Sequence, residues 1–243
     1  PSRLLFVGLG NSNNVNSELL REVGANIVKK TSSLSLSEFS IIIESSGVKN
    51  NSECISSLTE GIMLGNYSFD EFKTDKEDSK TITVELLIDE IDDIYPEALN
   101  KSKITSIASI KARNLVNRPP NIVNPEYLKD FSVDLANQNE KLDIEIFDKN
   151  AITKLGMRAY LGVAQGSVAE PYGIKLMHNG DPSNKDNNLW LIGKGITFDS
   201  GGLSLKPSFG MIEMKSDMSG GAAVITAMEA ISKLNPKINV IGL

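Results

Sequence analysis

The run Leu189-Trp190-Leu191-Ile192-Gly193-Lys194-Gly195-Ile196-Thr197-Phe198-Asp199-Ser200-Gly201-Gly202 passes from apolar residues straight into a glycine-rich loop. An apolar run of this length bounded by glycine predicts a strand over Leu189 to Gly193. Downstream, Ser219-Gly220-Gly221-Ala222-Ala223 opens a helix expected to reach about Lys233. Strand, loop and helix in that order build an α/β fold. Lys194 then lies near the carboxyl end of the strand, where open α/β sheets place their ligands. Glycines in the loop let the backbone turn sharply and approach a bound group, at a cost in conformational entropy.

The same alternation extends outward. Arg3 to Gly8 reads as a core strand, Ser17 to Gly24 as a helix with a serine cap and a closing glycine, and Phe39 to Glu44 as a second strand. Glu53 to Leu64 has helical periodicity, Lys73 to Lys80 is a charged loop, and Thr81 to Ile88 alternates like a strand, so a mainly parallel sheet is expected. A long helix over Pro96 to Val116 must stop before Pro119-Pro120, where the proline ring forbids continuation. Beyond it, Pro125 to Leu128 opens a helix, Asp143 to Phe147 is a strand, and Asn150 to Leu155 is a short helix closed by Gly156. Tyr160 to Ala164, Ile174 to Met177 and Ile238 to Leu243 are expected strands, with a polar turn from Asn179 to Asn188.

Bulk properties narrow the function. Twenty-five basic residues against 31 acidic give a formal charge of -6 in 243 residues, which disfavours nucleic acid or an anionic membrane as a partner. Lys29, Lys30, Lys101, Lys103 and Lys111 are scattered and form no basic patch. The single cysteine, Cys54, excludes an intrachain disulfide framework and is expected in a core. No apolar run approaches the roughly 20 residues needed to span a bilayer, and the cytoplasm is the expected compartment.

Taken singly, a lysine or aspartate in a glycine-rich loop is a solvated surface group. The glycines match neither the phosphate-binding Gly-x-x-x-x-Gly-Lys-Ser/Thr order nor a dinucleotide fingerprint. His178, the only histidine, has no cysteine or second histidine to join it in holding a metal and reads as a surface or hydrogen-bonded residue. Met211, Met214 and Met218 read as packing residues that could also line an apolar pocket.

The combination is more telling. Gly193 to Gly202, Leu203-Ser204-Leu205-Lys206-Pro207 and Met214-Lys215-Ser216-Asp217-Met218-Ser219-Gly220-Gly221-Ala222 resemble the central block of the leucyl aminopeptidases, also called the cytosol aminopeptidase family. The likeness extends through Leu155-Gly156-Met157, Gln165-Gly166-Ser167, Ala112 to Asn121, Glu60-Gly61 and Leu64 to Phe69, and so covers most of the chain. The long helix and its proline stop divide the chain into an N-terminal α/β domain over 1–96, a connecting helix over 97–118 and a second α/β domain over 119–243; the resemblance makes the last a metallopeptidase catalytic domain and implies that the first is cut at its start and the last at its end.

By that resemblance Lys194, as a neutral amine, Asp199 and Asp217 would be ligands of two divalent metal ions, Zn or Mn and possibly Mg, and would contact substrate through them. Asp199 would bridge the pair, and the hydroxide formed there would attack the N-terminal peptide bond of a peptide substrate. Lys206, kept as an ammonium, would be the catalytic residue that stabilises the oxyanion, and Met214 would line the pocket for the N-terminal side chain. The family carries a downstream Asn-Thr-Asp-Ala-Glu-Gly-Arg-Leu signature supplying two further metal carboxylates and an arginine, which these residues do not include. The chain is therefore expected to be inactive alone and to bind metal weakly. A homohexamer is implied for the parent, with a DNA-binding role or a catalytically silent scaffold as the alternatives. In a salt titration, duplex DNA affinity should be negligible at physiological ionic strength, and tight binding that falls steeply with salt would reverse the charge argument.

Overall fold

The computed structural model describes residues 3–43, 51–75, 81–88 and 92–243. The chain divides into two compact units, Pro1–Ile107 and Ala108–Leu243. Both are α/β. No helix among the described residues is long and apolar enough to cross a membrane.

In the first unit, α1 (Ser17–Ser33) starts where the Asn16 side chain accepts the Leu19 N–H at 2.9 Å. Gly24 does not close this helix as the sequence suggested. It lies buried on the face toward α2 (Asn51–Gly65), where an added Cβ would stand 2.6 Å from the Leu58 carbonyl oxygen, so the glycine serves close helix packing. β1 (Glu38–Ile42) and β2 (Thr83–Leu87) pair in parallel from Glu38 opposite Thr83 to Ile42 opposite Leu87. Their alternation turns Phe39, Ile41 and Leu86 toward a core of Leu20, Val23, Ile27, Ile43, Cys54, Ile55 and Leu58. Cys54 is buried as expected, and burial pushes its thiol up to about 11. Residues 3–8 are not the strand their composition predicts. Leu4, Leu5 and Phe6 are exposed, and apolar β-formers without a hydrogen-bonded neighbour make no strand. The end of the predicted strand at Glu44 and the loop residues 76–80 lie outside the described residues.

α3 (Ile94–Asn117) ends just ahead of Arg118-Pro119-Pro120, as the ring geometry requires. α4 (Pro125–Asn137) begins with proline in its first turn and the Asn124 side chain accepting the Tyr127 N–H at 2.9 Å. It is followed by β3 (Asp143–Phe147), α5 (Lys149–Lys154) capped by Asp148, and α6 (Arg158–Ala164). α6 corrects the strand expected over Tyr160 to Ala164. Seven residues are too few for periodicity to separate helix from strand, and Arg158, Ala159 and Leu161 are good helix formers. Then come β4 (Gly173–Asn179), β5 (Asn188–Leu191), α7 (Ser208–Met211), α8 (Ser219–Leu234) and β6 (Asn239–Gly242).

The sheet of this unit runs β3-β4-β6-β5, antiparallel across its first two junctions and parallel between β6 and β5. One face carries Leu128 and Leu135 of α4 and Ala222, Ile225 and Met228 of α8 against Leu176 and Val240. His178 is 2% exposed, its ring nitrogens facing the Lys141 and Pro236 carbonyls, which places it in a hydrogen-bonded structural role. Asn239 pins the polar turn: its side chain accepts the Asp181 N–H and donates to the Asp181 and Asn184 carbonyls at 2.9 and 3.0 Å.

Glu229 on α8 is 5% exposed and accepts from Lys111 of α3 at 2.6 and 2.8 Å and from Lys233 at 2.6 Å. Burial alone would raise its carboxyl, but the hydrogen bonds and charges of the two lysines outweigh burial and hold it below the ordinary glutamate value. A folded-state value below the unfolded one gives stability that is present above about pH 4.3 and lost as the pH falls through the folded value. Glu229→Gln should therefore cost about 1–3 kcal/mol in denaturant unfolding at neutral pH. The gap from the unaltered protein should narrow toward about pH 3.

Candidate functional site

The β5 chain continues past Leu191 with main-chain bonds that hold the following loop in place. Leu243 N–H donates to the Leu191 carbonyl, and Gly193 N–H to the Leu243 carbonyl, both at 2.8 Å. The next residues press against the start of α8, where the Gly221 N–H donates to the Lys194 carbonyl at 2.7 Å. An added Cβ on Gly193 would stand 2.3 Å from the Gly220 carbonyl oxygen, so only glycine permits this approach.

That packing brings Lys194 beside Asp217, which sits two residues before α8. The Lys194 ammonium donates to Asp217 Oδ1 at 2.7 Å, with the carboxylate largely buried and the lysine about half exposed. Asp217 Oδ2 is buried and has no hydrogen-bond partner. A buried, unpaired carboxylate oxygen is costly to leave unmatched, and a cation is its natural partner.

Asp199 forms a second pair. Its Oδ1 accepts the Gly201 N–H at 2.9 Å, and its Oδ2 accepts from Lys206 Nζ at 2.6 Å. The hydrogen bond from Lys206, then that from Gly201, lowers the Asp199 carboxyl from its ordinary value, with the charges of Lys206 and Lys194 adding to the effect. Lys194 thus acts on Asp199 as well as on Asp217. Lys206 also donates to the Asp199 carbonyl at 3.2 Å and meets Met214 Sδ at 3.1 Å, while its own N–H donates to the Ser200 carbonyl at 2.9 Å.

The sequence-predicted residues therefore fall into two ion pairs, Lys194–Asp217 and Lys206–Asp199, with Met214 against the second. Among the described residues no group of three or more His, Cys, Asp or Glu gathers as a metal cluster. One amine and two carboxylates, one with a free buried oxygen, suit part of a divalent-cation donor set. Motif reading gave no role to Lys215, which donates to the Asn117 carbonyl at 3.1 Å and fastens the turn before Asp217 to the end of α3. It also missed the clamp of Gly220 and Gly221 on the Lys194 loop; the paired glycines at a helix start were the available signal.

Gly193→Ala should cost about 1–3 kcal/mol through overpacking. The same substitution should abolish hydrogen-exchange protection of the Gly221 amide. Unchanged protection would show that the Lys194 loop does not depend on this contact.

Comparison with known proteins shows that residues 110–243 match the profile of the cytosol aminopeptidase family, catalytic domain, and residues 1–76 that of the N-terminal domain of the same family. A probable cytosol aminopeptidase of Clostridium perfringens is 36% identical over 249 residues, covering 99% of this chain and 49% of the relative. One from Aquifex aeolicus is 38% identical over 240 residues, covering 98% and 47%. The chain spans about half the length of the curated relatives it matches. Among solved structures, the bottromycin maturation enzyme BotP in complex with Mn superposes with a TM-score of 0.84 at 30% identity, covering 97% of this chain and 49% of that one. A tomato leucine aminopeptidase mutant gives 0.83 at 26% identity, covering 97% and 46%.

Proposed function

Because this chain belongs to the cytosol aminopeptidase family, we propose that it carries part of a two-metal site that hydrolyses the N-terminal bond of peptides. The observation that carries the proposal is the unpartnered, buried Asp217 Oδ2 beside Lys194, whose charge also acts on the Asp199 paired with Lys206. The expected cations are Zn or Mn, and possibly Mg; a neighbour in structure was solved with Mn.

Lys194, Asp199 and Asp217 would hold the cations. When bound, these supply Lewis-acid polarisation of the scissile carbonyl and acidify the attacking water. Asp199 is kept ionised by Lys206 and the Gly201 N–H. Lys206 would donate to a carbonyl oxygen as negative charge develops on it, a hydrogen bond stronger in the transition state than in the bound substrate. Its contact with Met214 Sδ orients the ammonium, and Met214 would form one wall for the substrate's N-terminal side chain. Water adds to the carbonyl carbon, the C–N bond breaks, and the proton passes to the departing amine.

The whole protein would work as a cytoplasmic enzyme on peptides, assembled as a homohexamer. Alone, the 243 residues would be inactive and bind divalent metal weakly, since the donors present are one amine and two carboxylates. A catalytically silent scaffold is the competing reading, because both ion pairs balance their own charges without a metal.

Hydrolysis of leucine amide with Zn or Mn separates these readings. The 243-residue chain should be inactive, and the same chain completed with the rest of the catalytic domain should be active. In the completed protein Lys206→Ala should lower kcat by about 100- to 1,000-fold. A completed, folded protein that stays inactive with both metals would overturn the enzymatic reading.

A further inference from the structure

Asp217 lies in a short connection between a 3-10 helix, Ile212–Ser216, and α8. Its own amide reaches the Met214 carbonyl only at 3.3 Å. On its carboxyl side the chain is anchored, because Met218 is fully buried in the core and its carbonyl accepts the Ala222 N–H at 2.9 Å. Lys215 holds the amino side. α3 stops at Asn117, ahead of Pro119 and Pro120, which leaves the carbonyls of its last turn without helical partners. The Lys215 ammonium donates to the Asn117 carbonyl at 3.1 Å, and a cation at the carboxyl end of a helix also meets the negative end of its dipole. Among the described residues no carboxylate pairs with Lys215, so its charge is directed to this main-chain oxygen.

On the reading of Lys194, Asp199 and Asp217 as cation ligands, we infer that Lys215 is a positioning residue for Asp217: by gripping the end of α3 it fixes the direction of the Asp217 carboxylate, and with it the affinity of the site for a divalent cation. Lys194 cannot supply that control. It is about half exposed, and to join a cation it must offer an amine lone pair in place of the ammonium that holds Asp217 Oδ1. Asp217 then keeps its direction through the chain on either side, Met218 behind it and Lys215 ahead. Lys215 is the anchor that one substitution releases without opening the core, since it is only partly buried. With the turn released, the carboxylate can rotate toward water. The buried Oδ2 then finds solvent as its partner, and the site loses the unmatched oxygen that favours a cation.

The test uses the 243-residue chain labelled with carbon-13 at its aspartate carboxyl carbons, at one fixed neutral pH, with the Asp217 signal identified by its loss in Asp217→Asn. Lys215→Met and, independently, Lys215→Gln should keep the far-UV circular dichroism and move the Asp217 signal toward that of solvated aspartates. Mn, followed by its broadening of the same signal, should bind about 10- to 100-fold more weakly in both variants. Lys215→Arg, which keeps a cationic donor, should restore the signal and most of the affinity. Glu229→Gln loosens α8 from behind without touching the Lys215 anchor and should move neither. An Asp217 signal unmoved in Lys215→Met and Lys215→Gln overturns the inference, and so does an equal movement in Glu229→Gln, which makes the effect one of general loosening. Mn that leaves the Asp217 signal of the unaltered chain unbroadened counts against the cation reading alone, and the position of the signal in the Lys215 variants still decides the positioning.

Discussion

One main-chain hydrogen bond, from the Gly221 N–H to the Lys194 carbonyl, governs the geometry of the site. It fastens the loop leaving β5 onto the first turn of α8, and it forms only because Gly193 carries no Cβ to strike Gly220. Lys194 comes from the strand side and Asp217 from the helix side, so their 2.7 Å contact depends on that closeness. The helix is in turn fixed from behind by Ala222, Ile225 and Met228 in the core and by Glu229 against Lys111. This ion pair thus inherits its precision from apolar packing several residues away.

The charges at the site contribute little to stability. Lys206 and Asp199 are each about a third exposed, and ion pairs so accessible to water are screened and add little to stability. Their effect is on state and orientation. Asp199 remains ionised, and Lys206 is held among a carboxylate, a carbonyl and a thioether. The one unmatched element is Asp217 Oδ2, which makes the Lys194 side of the site the less settled of the two.

The sequence made the α/β character legible because most elements are bounded by strong stop signals. Asp143–Phe147 was read to the residue, and the arrest of α3 followed from Pro119 and Pro120. The family likeness, carried by the runs around Lys194 and Asp217, is matched by the profile over 110–243. Local pattern failed where tertiary context decides. Arg3 to Gly8 has the composition of a strand but no paired strand among the described residues. Gly24 looks like a helix stop, yet the approach of α2 makes it a packing residue. α6 was too short for its period to show. At the site, the residue types were visible in the motif, but the pairing of Lys206 with Asp199 and of Lys194 with Asp217 was not, since sequence spacing carries no information about which lysine faces which carboxylate.

The Asn239 side chain has a bearing on the chemical ageing of this fold. Its amide nitrogen feeds two carbonyl oxygens while its oxygen takes an N–H from the same turn. Deamidation would leave a carboxylate facing those carbonyls, replacing two attractions by two repulsions at a buried position. The turn between β4 and β5 would come unclipped from the start of β6, and the damage would reach the strand from which Lys194 extends.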